Sequence, residues 1–331
     1  METGSTQLVS NMDELYIKTR LNDSKIRSFT VKMAFKDRFS LTNGMDWDSA
    51  GETMVTSSQD KSVFIYSLNK ACITNILQSK KHGVSGVRFT NESPRIIVCS
   101  SSYDATAASV KLWDTVENRY MRSFSLGAPL ISGRGISPHP NKDMMLITTA
   151  NDTCSLYNYD NSTPLFSYKG RKIIGAFDTL GLIFALYTSS VEKKEISLYD
   201  LSRYQSIDFN PNGRSLVIGT NFARLICINA MNGTTLFACC YDNRPSYIVD
   251  DKDLCFPSIS PDGRYLLSGC TDGRLSIWNF KGQNVCCLPG HEGPPHFACF
   301  NPKKAIISSA CVKVAWWLPD LKGTSDNIST Q

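Results

Sequence analysis

The sequence predicts an all-β fold in which one small sheet is copied around a ring, a β-propeller of seven blades. Three observations carry this. A unit made of a short apolar strand, a polar turn and a second strand ending in an aromatic residue recurs along the 331 residues. The copies recur at roughly 40–50 residues, the period of a four-stranded blade. Each copy follows a further strand closed by a Pro, Gly or Asp turn, and no 3.6-residue apolar periodicity appears beyond about the first twenty residues.

The copies are legible in order. TMVTSSQDKSVFIYS (53–67) places Asp60 in the turn, six residues before Tyr66. IIVCSSSYDATAASVKLWD (96–114) has a longer turn and ends at Trp113-Asp114. MLITTANDTCSLYN (145–158) has Asn151 in the turn and Tyr157 as the aromatic. LIFALYTSSVEKKEISLYD (182–200) ends at Tyr199, and SLVIGTNFARLICIN (215–229) carries Asn221 and Ile228. SGCTDGRLSIWN (268–279) repeats the arrangement most clearly, with Asp272 and Trp278. AIISSACVKVAWWLP (305–319) closes the series at Trp317 with no turn acid. A turn carboxylate or amide at this position pins neighbouring backbone N–H groups. The large aromatic anchors packing between blades.

The preceding turns are WDSAG (47–51), FTNESP (89–94), ISPHPNKD (136–143), FDTLG (177–181), FNPNG (209–213), ISPDG (259–263) and FNPKK (300–304). Anchor separations are 47, 44, 42, 29, 50 and 39 residues. The interval of 29 is too short for a full blade. Only YQSIDF, RSLVIGT and RLICI look like strands there, so either the fourth blade is abbreviated, without its outer strand, or the sequence has lost a segment there. After Trp317 no strand pattern remains, whereas KIRSFTVKMAF (25–35) is a strand without a blade. Pairing the two would close the ring and remove two exposed edges. The expected organisation is an N-terminal extension (1–22), one propeller domain (23–320) and a disordered tail (321–331).

Composition narrows the function classes. Charged residues make up 20% and the net charge is +5, with Lys/Arg runs of two at most. Direct nucleic-acid binding, which favours dense basic clusters, is not expected. No run approaches a membrane span, and METGSTQLVS lacks a signal-peptide pattern. The chain is therefore expected to be soluble and not secreted. Its twelve cysteines read as reduced thiols, many within apolar strands. Neither Cys239-Cys240 nor Cys286-Cys287 has CxxC spacing, and no metal or cofactor is expected.

HEGPPH (291–296) superficially resembles a zinc-protease motif, but the spacing is i, i+5 and Pro294-Pro295 precludes the helix that chemistry needs. His291 is instead expected to bond within its blade. His82 and His139 lie in separate turns, and no nucleophile–base pair or phosphate loop is apparent. The chain is not expected to be an enzyme. Trp47, Trp113, Trp278, Trp316 and Trp317 recur at blade positions, which favours core packing over a stacking platform for bases.

Trp113-Asp114 and Gly290-His291 are the two signature dipeptides of WD repeats. DSKIRSFTVKMAFKD (23–37), GETMVTSSQDKSVFIYS (51–67) and FNPKKAIISSACVKVAWWLPD (300–320) resemble the family of WD repeat-containing protein 82, in register from about residue 23 to 320. That resemblance implies a non-catalytic scaffold, nuclear with a cytoplasmic pool as the secondary expectation, monomeric within a hetero-complex. The partners it implies are a subunit of a COMPASS-type histone H3 lysine methyltransferase complex, a phosphatase 1 nuclear targeting subunit acting in RNA polymerase II termination, or a polyadenylation factor. The alternative is a substrate receptor of a cullin ubiquitin ligase. Such receptors often carry Arg two residues after the WD dipeptide, where this chain has Val116 and Ser202.

A propeller frees its loops to vary, so partner contacts are expected on the face formed by the middle turns and the turns entering each blade. Candidates there are His82, Arg88, Arg134, Phe222, Arg224, Arg274 and His291, Arg and aromatic side chains being favoured at interface centres.

Overall fold

A computed structural model of the chain describes residues 21–35, 40–80, 82–92, 95–100, 108–130, 135–178, 181, 183–189, 194–200, 211, 214–220, 224–229, 234–240 and 257–320. The strand expected at 204–209, Asn221, and the two terminal extensions apart from residues 21 and 22 lie outside the described residues.

Within them the fold is an all-β propeller, and its strands fall into seven antiparallel sheets. Sheet I comprises β2 (Thr42–Trp47), β3 (Thr53–Ser58), β4 (Ser62–Ser67) and β5 (Cys72–Gln78). Sheet II comprises β6 (Ser85–Phe89), β7 (Ile96–Ser100), β8 (Ser109–Asp114) and β9 (Arg119–Ser125). Sheet III comprises β10 (Ile136–Pro138), β11 (Met144–Thr149), β12 (Thr153–Asn158) and β13 (Phe166–Lys169). Sheet IV has three strands, β14 (Ile174–Phe177), β15 (Ile183–Ser189) and β16 (Lys194–Asp200), and so does sheet V, with β17 (Ser215–Thr220), β18 (Arg224–Asn229) and β19 (Thr235–Cys240). Sheet VI comprises β20 (Ser258–Ile259), β21 (Tyr265–Gly269), β22 (Arg274–Asn279) and β23 (Asn284–Pro289). Sheet VII comprises β24 (Phe297–Phe300), β25 (Ile307–Ala310), β26 (Val314–Pro319) and, from the other end of the chain, β1 (Phe29–Phe35).

The expected count of seven blades, the fourth abbreviated, is corrected: six blades are recognisable, and two of the seven sheets show three strands each among the described residues. Apolar clusters join consecutive sheets VII–I, I–II, II–III, III–IV, V–VI and VI–VII. No such cluster is described between sheets IV and V. Sheet IV has three strands among the described residues, and residues 201–210, which follow β16, lie outside them.

The closing strand is where the sequence placed it, but shorter. β1 pairs with β26 from Phe29↔Pro319 to Phe35↔Val314. Residues 25–27 are not strand: Asp23–Arg27 forms one helical turn, α1, because Asn22 caps it by accepting from Lys25 N–H at 2.8 Å, as N-cap residues do. Ile26 of α1 is fully buried in the VI–VII cluster, and Asp23 accepts the Tyr265 hydroxyl at 2.6 Å.

The aromatic anchors do pack between sheets. Tyr66 lies in the VII–I cluster, Trp113 in I–II, Tyr157 in II–III, Trp278 in V–VI and Trp317 in VI–VII. Trp316 faces the other way from Trp317, into sheet I, where its ring is 5.9 Å from that of Trp47. Both are buried, so neither is a surface residue.

Inner-strand turns share one construction. The residue after the strand's last apolar side chain is polar and turns back to cap the turn: Asp48, Thr90, His139, Ser260 and Asn301, each buried. Asp48 Oδ1 accepts from Glu52 and Thr53 N–H, and Asn301 Oδ1 from Lys303 and Lys304 N–H. Two of these caps also reach the next turn around the ring. Asn301 Nδ2 donates to the Gly51 carbonyl at 2.7 Å, and His139 Nε2 lies 2.9 Å from the Gly181 carbonyl. Gly51 has φ +70° and a Cβ there would lie 2.3 Å from Asn301 Oδ1. Gly51→Ala therefore combines left-handed strain with a lost hydrogen bond to a buried amide, and should cost about 2–3 kcal/mol, read as a lower urea midpoint at unchanged slope.

Candidate binding faces and the turns that shape them

Antiparallel order sends the chain back and forth across the ring. First-to-second and third-to-fourth turns lie on one face. Second-to-third turns and connections between sheets lie on the other, where the candidate partner residues were expected.

The second-to-third turns are built by their acids. Asp60 Oδ1 accepts from Ser62 N–H at 3.0 Å, and Asp272 Oδ1 from Arg274 N–H at 3.2 Å. Asn151 Oδ1 accepts from the Thr149 hydroxyl. Arg274 is not a free cation: its Nε donates to Asp272 Oδ2 at 2.8 Å. That pairing holds the Asp272 carboxyl below the usual carboxylate range. Both side chains are about two-fifths exposed, at 43% and 44%.

His291 is the most constrained candidate. Trp317 Nε1 donates to Ser309 Oγ at 2.6 Å, and His291 Nε2 lies 2.6 Å from the same oxygen. Indole N–H can only donate, so Ser309 Oγ accepts from Trp317 while it also contacts the imidazole. Nδ1 of the same ring lies 3.1 Å from Cys311 Sγ. Cys311 thus stands where the other turns place an acid. Burial, with Lys313 nearby, pushes the imidazole down to about 4.

The unfolded chain protonates this histidine near its ordinary value of about 6.5, well above the folded protein. Stability contributed by the neutral ring is therefore present above pH ~6.5 and is lost as pH falls towards 4, by up to about 3 kcal/mol. Urea unfolding at pH 7, 6 and 5 should show this slope shrinking in His291→Gln. A residual slope of the same sign is expected from His139, which burial also pushes down.

The described candidates fall at separate places around the ring. Gly273 accepts the His291 N–H at 3.2 Å, so Arg274 and His291 share the boundary of sheets VI and VII. His82 lies at the boundary of sheets I and II, its ring edge-on to Tyr120 at 6.2 Å. Arg224 opens β18 on the same face. Arg134 and Phe222 lie outside the described residues.

Arg88 is not a loop residue. It belongs to β6, donates to the Met45 carbonyl at 3.0 Å and lies 3.7 Å from Asp46. Its position explains why. At three described inner strands the residue before the last apolar side chain reaches the next inner strand. There Asp46 accepts from Phe89 N–H, Ser137 from Phe177 N–H and Ser258 from Phe300 N–H. The residue following Arg88 around the ring is Pro138, which has no N–H. A basic side chain that turns back to Asp46 fits such a site.

Ser309, Cys311, Asn301 and the inner-strand acceptors were not singled out from sequence. The only signal for them is the column they form once the copies are aligned on their turns.

Comparison with known proteins agrees with this architecture. The family described as WD domain, G-beta repeat matches residues 252–279. COMPASS component SWD2 of Saccharomyces cerevisiae is 26% identical over 83% of this chain and 90% of its own. Set1 complex component swd2 of Schizosaccharomyces pombe is 25% identical over 71% of this chain and 70% of its own. WD repeat-containing protein 82 of Drosophila melanogaster is 31% identical over 92% of this chain and 98% of its own. With propeller order, joined chain ends and that near end-to-end match together, the chain belongs to the WD repeat-containing protein 82 family.

Proposed function

We propose that the chain is a non-catalytic scaffold subunit of a nuclear chromatin and transcription complex. It would serve a histone H3 lysine methyltransferase assembly, a phosphatase–RNA polymerase II termination assembly, or both. The observation that carries this reading is the match along most of its length to relatives named as components of COMPASS and of the Set1 complex. Residues 23–320 would act as one rigid domain that includes sheets IV and V despite their three strands. In support, each packs an apolar cluster against a complete neighbour, sheet III or sheet VI.

The partner surface would be the face carrying Arg274 and His291 on one side and His82 on the other. His291 would contribute chiefly by holding its connection in place, since both ring nitrogens are already engaged. Affinity purification of the full chain from nuclear extract, read by mass spectrometry, tests the reading. A lysine methyltransferase or a phosphatase regulatory subunit should co-purify. Recovery of cullin adaptors without either would contradict it.

A further inference from the structure

We propose that sheet IV is completed in the assembled state by an extended segment of a partner protein, laid antiparallel along the outer edge of β16. The inference draws on the scaffold reading only in naming the donor as a partner protein.

The first argument is chain length. Between the third strand of one sheet and the second strand of the next, the chain must supply an outer strand, a crossing, an inner strand and two turns. It spends 24–35 residues on this at five junctions, the shortest being 159–182. Between β16 and β17 it has 14, residues 201–214. At about 3.3 Å per extended residue, two strands and three connections do not fit. FNPNG (209–213) repeats the inner-strand turn of FNPKK and ISPDG. With YQSIDF before it, that run reads in the sequence as the inner strand preceding β17, a reading that leaves only residues 201–203 for an outer strand of sheet IV.

The second argument is the character of β16. Third strands in this chain are interior strands: β4, β8, β12, β22 and β26 are buried along most or all of their length and paired on both edges. β16, KEISLYD, repeats the pattern of SVKLWD and TCSLYN. It pairs with β15 along all seven residues, Ile183↔Asp200 to Ser189↔Lys194. On its other edge no strand is present among the described residues. An interior strand with one unpaired row of N–H and C=O groups is a template for strand addition.

The chain's own outer strands define what fits. They are exposed along most of their length and turn in one or two large apolar side chains: Leu77 in β5, Phe124 in β9, Phe29 and Phe35 in β1. The occupant is therefore an extended segment of about six residues, mostly polar, with one or two large apolar residues on one side.

The test uses the full-length chain and a synthetic peptide of residues 117–127, ENRYMRSFSLG. This is the chain's own outer strand β9, the natural partner of SVKLWD. Two further versions carry N-methyl groups on alternate residues, 120, 122 and 124 or 119, 121 and 123. The proposal expects saturable binding of the unmodified peptide and slowed hydrogen exchange at alternate amides of β16. It also expects a loss of about tenfold or more in affinity for one N-methylated version only. Four results would overturn it: no saturable protection, equal behaviour of the two N-methylated peptides, protection of those amides in the free chain at every dilution, which would mean residues 201–214 cover the edge, or protection that rises with protein concentration, which would mean a second copy does. Because no complex is purified, failure here is separable from failure of the scaffold reading.

Discussion

Trp317→Ala is expected to lower the unfolding free energy by about 3–5 kcal/mol, as for a buried aromatic cut to a methyl group. The indole is 1% exposed and fills the space between sheets VI and VII, where Phe29, Tyr265, Ile277, Phe300 and Ile307 meet. A Cβ on Gly290 would lie 2.4 Å from its edge, so the connection carrying His291 is moulded onto the ring. Loss of the indole also leaves the buried Ser309 hydroxyl without its donor. Trp317→Phe separates the two effects. It keeps most of the apolar bulk and should cost about 1–2 kcal/mol, the price of an unsatisfied buried acceptor. Against a total stability of about 5–15 kcal/mol, the alanine variant should show a much lower urea midpoint. Equal midpoints for the two variants would mean that packing between these sheets is not what the ring does.

A chain starting at Ser40 should fail to fold as a monomer. It lacks α1 and β1, and with them Ile26, Phe29 and Phe35, all buried. At about 1.5–3 kcal/mol for each large apolar side chain, the lost burial alone rivals the stability of the domain. The truncation also uncovers the full edge of β26, VAWWLP, a long apolar strand of the kind that pairs with other chains. Size-exclusion chromatography should find aggregates, and thermal scans no cooperative transition. Adding a peptide of residues 21–39 during refolding should restore monomer, because every β1 contact is made by that segment.

Much of this was legible in the sequence, for identifiable reasons. The repeat shows because two positions per blade are chemically forced. One is a turn residue that accepts backbone N–H bonds, such as Asp60 or Asp272. The other is a large aromatic between sheets, such as Trp113 or Trp278. The closing strand showed because an unpaired run at one end matched a deficit at the other.

The rest depends on neighbours that only the fold supplies. Asn22 is an ordinary polar residue until its side chain caps α1 and shortens the strand that follows. Arg88 looks like an exposed cation until Pro138 removes the N–H it faces and Asp46 offers an alternative. Cys311 reads as one more apolar cysteine, and its contact with His291 appears only when β25 and the loop before β24 are brought together. Distribution of His82, Arg274 and His291 over two sheet boundaries is likewise a matter of ring geometry, which residue spacing does not encode.

The account stands on the two ends of the chain being joined in one antiparallel sheet, and a cysteine pair tests that directly. Ala34 and Ala315 face each other across β1 and β26, and opposed antiparallel residues have Cα atoms about 4.5–5.5 Å apart, within disulfide reach. In Ala34→Cys/Ala315→Cys, peptide mapping after mild oxidation should find the bridge between these two positions. The oxidised protein should then gain up to about 4 kcal/mol over its reduced form, since the bridge closes a loop of nearly the whole chain. Absence of a 34–315 bridge in folded protein, with these cysteines pairing elsewhere or staying free, would contradict the closed ring.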